Sequence, residues 1–200
     1  MNMRRSLLSS TAIKRAVATA AVTVLTSTVL TGTSHADPGG SRQFTARSHE
    51  LGLTSLQADA LQDRVDSYLA QGDGVQVEIN KVQYSNGNSV VVPLPGEKRT
   101  RNITAQTKSA KSASAVIKCD KGWFCAYSHF DYTGVQWNIY HCQDYRIPDW
   151  QGNGSWYNNQ TGGAQALFKD KGGVIRWVSA PAPTFDDEAP WGWVGFIKPC

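Results

Sequence analysis

The 200-residue sequence predicts an all-β C-terminal domain over residues 119–200, an antiparallel sandwich carrying disulfides, preceded by a small α+β module of helix, strand and strand over residues 37–95. Three observations carry this. Short alternating or β-branched runs recur after Cys119 and are separated by glycine turns, the pattern of antiparallel sheets. All seven Trp and all four Cys stand at or after Cys119, whereas residues 37–118 have only Phe44, Tyr68 and Tyr84 as aromatics. A helical period is found ahead of that boundary, at Leu61, Val65, Tyr68 and Leu69.

The N-terminus reads as an export signal over residues 1–36. Arg4, Arg5, Lys14 and Arg15 precede a charge-free run from Ala16 to Leu30, and Ser34-His35-Ala36 places small residues for cleavage after Ala36. A membrane anchor needs about twenty strongly apolar residues, and Thr and Ser dilute this run. Past it, residues 37–118 hold ten Lys/Arg against eight Asp/Glu, and residues 119–200 hold six against eight. The mature chain is therefore close to neutral and lacks the basic face that nucleic acids or anionic membranes require.

In the leader module, Thr54-Ser55-Leu56-Gln57 fits a capping box, and the helix that follows stops at Gly72. Val75 to Ile79 alternates as a strand, Asn86-Gly87 turns the chain, and Ser89 to Val92 is a second strand closed by Pro93 and Pro95. A pro-segment or packing cap is weighed against an independent binding module. Residues 96–118 carry six Lys/Arg, and Ala105 to Ala115 contains only Ala, Gln, Thr, Lys and Ser. That composition buries little apolar surface, so a basic linker is expected, cut by trypsin-like proteases or left as a tether.

Past Cys119, Trp123, Cys125 and Tyr127 alternate with Phe124 and Ala126, which sends the two sets to opposite faces of a strand. After His129 to Gly134 the alternation resumes from Val135 to Tyr140, so the pair reads as a β-hairpin with a folded tip. The spacing of Tyr127, Tyr132 and Gly134 resembles the signature of the βγ-crystallin Greek key. With Cys119, the Gly-Trp-Phe run ending at Cys125, and Ser155-Trp156-Tyr157-Asn158-Asn159 downstream, the region from Val116 to Val178 resembles peptidase inhibitor family I-36, the Streptomyces metalloproteinase inhibitors. The resemblance implies a βγ-crystallin-like Greek key sandwich, a secreted inhibitor rather than an enzyme, and an extracellular protease as partner, a metalloprotease first. One departure stands out: Phe168-Lys169-Asp170-Lys171-Gly172 has no second aromatic, so the second Greek key is expected to be degenerate or truncated.

Further along, Asp144 to Trp150 is read as irregular, Gly152-Asn153-Gly154 as a turn before a run at Ser155, and Ala164–Phe168 and Val174–Val178 as strands. The tail from Ser179 begins with Pro181 and Pro183 and ends in an aromatic segment closed by Cys200. Four Cys in an exported chain point to two disulfides among Cys119, Cys125, Cys142 and Cys200, with three possible pairings. A Cys119–Cys142 bridge would leave Cys125 for Cys200; a local Cys119–Cys125 loop with Cys142–Cys200 fits the sequence as well.

Catalytic signatures are missing. No G-x-S-x-G elbow and no H-E-x-x-H pair occurs, and His141 beside Cys142 points to the opposite face of an extended chain. Zinc on Cys119, Cys125, His129 and Cys142 is the weaker alternative to disulfides, and the carboxylates Asp144, Asp149 and Asp186 to Glu188 read as solvated loop acids rather than a glycosidase pair. Calcium, frequent in crystallin-like domains, is weakly supported, because Gln151 and Gly152 stand where an acidic pair would precede Ser155; Asp131 is the one further oxygen ligand in view.

Recognition by a rigid surface remains. Candidate loops are His129–Gly134, Asp149–Gly154 and Asp170–Gly173, with Tyr132 and Trp150 as aromatic anchors. The alternative is a glycan- or cell-wall-binding module without inhibitory activity, in which Trp191 and Trp193 share one face of an extended tail and stack on sugar rings.

Overall fold

The computed structural model describes residues 38–103 and 119–200, residues 38–43 by their backbone alone. The export signal and the later part of the basic segment, residues 104–118, lie outside the described residues. Two helices open the fold: α1 over Pro38–Glu50 and α2 over Ser55–Leu69. Thr54 caps α2 as the sequence predicts. Its hydroxyl accepts from the Gln57 amide, and the Gln57 side chain accepts from the Thr54 amide, so that two otherwise orphaned donors are satisfied. Leu61, Val65 and Tyr68 put the buried face of α2 on the core. The sequence carries no clear signal for α1, because a start at Pro-Gly-Gly-Ser offers poor helix formers.

Eleven strands follow in the described residues: β1 (Val75–Glu78), β2 (Lys81–Gln83), β3 (Ser89–Val91), β4 (Phe124–His129), β5 (Thr133–Ile139), β6 (Tyr145–Arg146), β7 (Asn153–Asn158), β8 (Leu167–Asp170), β9 (Ile175–Val178), β10 (Thr184–Pro190) and β11 (Val194–Lys198). They form two antiparallel sheets. One runs β1-β2-β3-β5-β4-β7-β10, the other β6-β11-β8-β9. The β4–β5 hairpin lies beside β7, while β6, between them in sequence, is in the other sheet. The later half repeats this: β8 and β9 pair, β11 lies beside β8, and β10 crosses to pair with β7.

Alternation assigns the faces. Phe124, Ala126, Trp137, Ile139 and Trp156 turn into the main core, whereas Cys119, Cys125 and Tyr127 form a second cluster flanked by Trp123, Tyr132 and Tyr157. Phe124 stacks on Trp156 with centroids 5.9 Å apart, and Phe168 closes on both rings from the other sheet.

The boundary in composition does not divide the sheet. β3 pairs with β5, Val90 opposite Trp137, so the leader strands extend the sheet of the C-terminal half. Leu61, Val65, Val82 and Val92 belong to the same core cluster as Phe124 and Trp156. Residues 96–103, read above as the start of a linker, lie against this sheet. Thr100 and Ile103 are buried, the Thr100 hydroxyl donates to Gln136 Oε1 at 2.7 Å, and the Gly134 amide donates to the Lys98 carbonyl at 2.7 Å.

One further expectation is corrected. The tail is not an extended aromatic arm: β10 and β11 are full strands joined by a turn in which the Val194 amide donates to the Trp191 carbonyl. The later half contributes strands β8 to β11. In place of a second aromatic, Asp170 organises the β8–β9 turn, its carboxylate accepting from the Gly172 and Val174 amides at 2.9 and 3.0 Å. The Val174 amide bond, followed by the one from Arg176, holds the Asp170 carboxyl below the usual carboxylate range.

Candidate functional site

The cysteines pair as Cys119–Cys125 and Cys142–Cys200, with Cα separations of 5.6 and 5.4 Å. This decides between the pairings open in the sequence, and it removes these thiols from zinc ligation. The first bridge frames a short loop, Asp120-Lys121-Gly122-Trp123. Its backbone is held from several sides: Trp123 donates to the Asp120 carbonyl at 3.1 Å, Gly122 to that of Asn159 at 2.7 Å, and Asn159 returns a bond to the Trp123 carbonyl at 2.9 Å. The Asn159 side chain donates to the Cys119 carbonyl. Gly122 has φ 92°, which an L side chain adopts only with strain. Asp120 and Lys121 remain exposed, and Trp123 packs on Tyr140 with centroids 5.0 Å apart. Beside the loop lies a groove of about 200 Å³, lined by Asp120, Trp123, Asn138 and the leader residues Glu78 and Lys81.

At the other end of β4 is the hairpin tip. Asp131 and Tyr132 have φ 59° and 56°, and the Thr133 amide closes on the Phe130 carbonyl at 3.2 Å, the left-handed two-residue turn that suits strand twist. Nothing in the residue types announced it, since Asn-Gly or Asp-Gly is the usual signal. Ser155 supplies the compensation: its hydroxyl donates to the His129 carbonyl at 2.7 Å and accepts from the Tyr132 amide at 2.9 Å. The Asp131 amide donates to the Asp187 carbonyl, and Arg99 reaches the Asp131 carbonyl at 3.0 Å. Gly134 follows with φ 78°, in a position where a β-carbon would run into Ser128 Oγ and His129 Nδ1.

Tyr127 and Tyr132 contact edge to face at 5.5 Å, and Tyr132 and Tyr157 each contact Phe185. Burial pushes the Tyr127 hydroxyl far above its ordinary pKa, and burial followed by the charge of Asp187 raises that of Tyr132.

The anchors read from sequence fare unequally. Tyr132 is half-buried at the tip. Trp150 packs against Trp191 at 5.7 Å, and its indole N–H points to the Tyr68 hydroxyl at 3.4 Å, which makes it a strut between α2 and the sandwich. Trp191 is 1% exposed and is withdrawn as a contact residue: a turn, not an extended tail, carries it into the core. Trp193 is half-buried and lines a cavity described below. Phe130, 58% exposed at the tip, was missed, because an aromatic in a hairpin is ordinarily read as core. Among the described residues no three His, Cys, Asp or Glu side chains gather to hold a metal ion, and no helix is long and apolar enough to cross a membrane.

Comparison with known proteins bears on the same region. Residues 112–178 match the model of peptidase inhibitor family I36, a span that takes in the disulfide-framed loop, the hairpin tip and strands β4 to β9. No curated protein and no solved structure matches the chain.

Proposed function

We propose, from the match of residues 112–178 to the model of peptidase inhibitor family I36, that the chain is an extracellular inhibitor of metalloproteases that occludes the active site with its Cys119–Cys125 loop. The family match carries the reading. The loop is favoured over the hairpin tip because a disulfide frames it while Asp120 and Lys121 stand exposed. A covalent bridge and bonds to Asn159 on a neighbouring segment fix the loop before a partner arrives, so little ordering entropy is lost on binding. Disulfides persist outside the cell, in keeping with an export signal removed after Ala36.

The connectivity supports a crystallin-like reading of the fold. In each half the fourth strand returns beside the first and the third strand, β6 or β10, joins the opposite sheet, the connectivity expected of two Greek keys that exchange a strand.

The test is a titration of the mature chain, residues 37–200, against a thermolysin-type metalloprotease, with a serine protease as control. Stoichiometric loss of the metalloprotease activity alone is expected. Replacing Cys119 and Cys125 together by Ser, with Cys142–Cys200 intact, is expected to weaken inhibition about tenfold or more by returning the loop to an ensemble. Inhibition of neither protease would sink the reading, and full inhibition by the double variant would move the contact elsewhere.

A further inference from the structure

The two sheets do not close on each other at one side. β9 is the edge strand of the four-stranded sheet and β10 that of the seven-stranded sheet, and between their open edges lies a cavity of about 400 Å³. Trp156 and Phe168 are its buried floor, while Trp177, 41% exposed, and Trp193 stand nearer solvent. The rings are set at angles: Trp177 meets Phe168 at 5.0 Å and Trp156 at 5.5 Å. Two charged side chains of opposite sign also line it, Arg176 from β9 and Asp186 from β10. Arg176 uses Nε on Asp170 at 2.7 Å, leaving its terminal N–H groups for another acceptor. Asp186 Oδ1 accepts the Glu188 amide at 3.0 Å, leaving Oδ2 for another donor.

We propose that this cavity binds a neutral pyranose residue. The size falls in the range of small-molecule sites, about 300–1,000 Å³. Aromatic walls select a ligand with a flat apolar face. An organic cation would suit the rings but meets Arg176, and an anion meets Asp186; a neutral ring carrying hydroxyls satisfies both, donating to the carboxylate and accepting from the guanidinium. Edge strands add backbone N–H and C=O groups that no neighbouring strand occupies. The site shares no lining residue with the Cys119–Cys125 loop, so it stands or falls apart from the inhibitor reading. Sequence reasoning placed sugar stacking on Trp191 and Trp193; the cavity keeps Trp193 at its margin, buries Trp191, and brings in Trp177 from a different strand.

The experiment is calorimetric titration of the mature chain with glucose, N-acetylglucosamine and a soluble N-acetylglucosamine oligomer, with choline as the cationic probe. Saturable binding of at least one sugar and none of choline is expected. Tighter binding of the oligomer than of its monomer would identify a chain as the source, and equal binding a free sugar. Trp177→Ala and Asp186→Asn are each expected to weaken binding about tenfold or more, the loss of one well-placed contact. Far-UV circular dichroism and protease titration should stay unchanged in both, and Arg176→Gln, on an exposed side chain, repeats the test should either variant fold poorly. No saturable sugar binding up to about 10 mM, a free-energy threshold near 3 kcal/mol, would overturn the proposal. So would choline binding, or sugar binding indifferent to all three substitutions.

Discussion

The indole N–H of Trp191 donates to the backbone carbonyl of Tyr127 at 2.7 Å, joining the turn after β10 to the strand that carries the aromatic signature. To reach it, the ring lies directly over Gly154, where a β-carbon would collide with Nε1 and Cδ1 of Trp191. Three segments far apart in sequence thus depend on a missing methyl group.

Gly154→Ala is therefore expected to cost stability by overpacking, about 1–3 kcal/mol, and more where the indole is driven off its buried carbonyl. Denaturant unfolding followed by tryptophan fluorescence measures it. Unchanged stability would mean that Trp191 repacks freely.

Ser155 bonds both sides of the β4–β5 tip, through the His129 carbonyl and the Tyr132 amide. Ser155→Ala leaves that partly buried pair without its bridge, a loss of about 1–3 kcal/mol. Amide hydrogen exchange should show the Tyr132 N–H opening selectively, with Phe124 and Ala126 still protected.

Burial, then the neighbouring Tyr68 and Asp73, push the Tyr84 hydroxyl up to about 12 from 10.0. A raised folded-state pKa means that the neutral phenol is favoured by folding. The stability it brings is complete below pH 10 and lost as pH rises from 10 through about 12. Tyrosinate absorbance and far-UV circular dichroism recorded together should show a late ionising phase that coincides with unfolding. Tyr84→Phe, which loses the 3.1 Å bond to the Tyr68 carbonyl, should remove part of that phase.

Trypsin offers a test of the organisation. Lys108 and Lys111 lie in the basic segment, and cleavage there separates the chain into a leader part and a C-terminal part. Because β3 pairs with β5 and Leu61, Val65 and Val92 share a core with Phe124, the two fragments should co-elute in size exclusion after cleavage and separate only in denaturant. Elution of a free C-terminal fragment would show that the shared sheet does not hold the leader.

Much of this was legible along the chain. The capping box at Thr54 and the alternation that divides Phe124 and Ala126 from Cys125 and Tyr127 rest on interactions within a few residues, or on a period of two. Local signals failed where the partner is remote. β10, with its Asp-Asp-Glu run, has no strand-like composition and forms because β7 offers it an open edge; β11 forms between β6 and β8 in the same way.

By itself, then, the sequence determined the secondary elements that local chemistry dictates, the aromatic signature and the even set of cysteines. Tertiary structure decided the rest: which cysteines meet, whether Trp191 faces a partner or a buried carbonyl, that the leader strands extend the sheet, and that Trp177, Arg176 and Asp186 converge on one cavity. The physical reason is that each of these is a contact between strands whose neighbours are set by sheet closure, and a strand's own residues specify its faces but not what lies across from them.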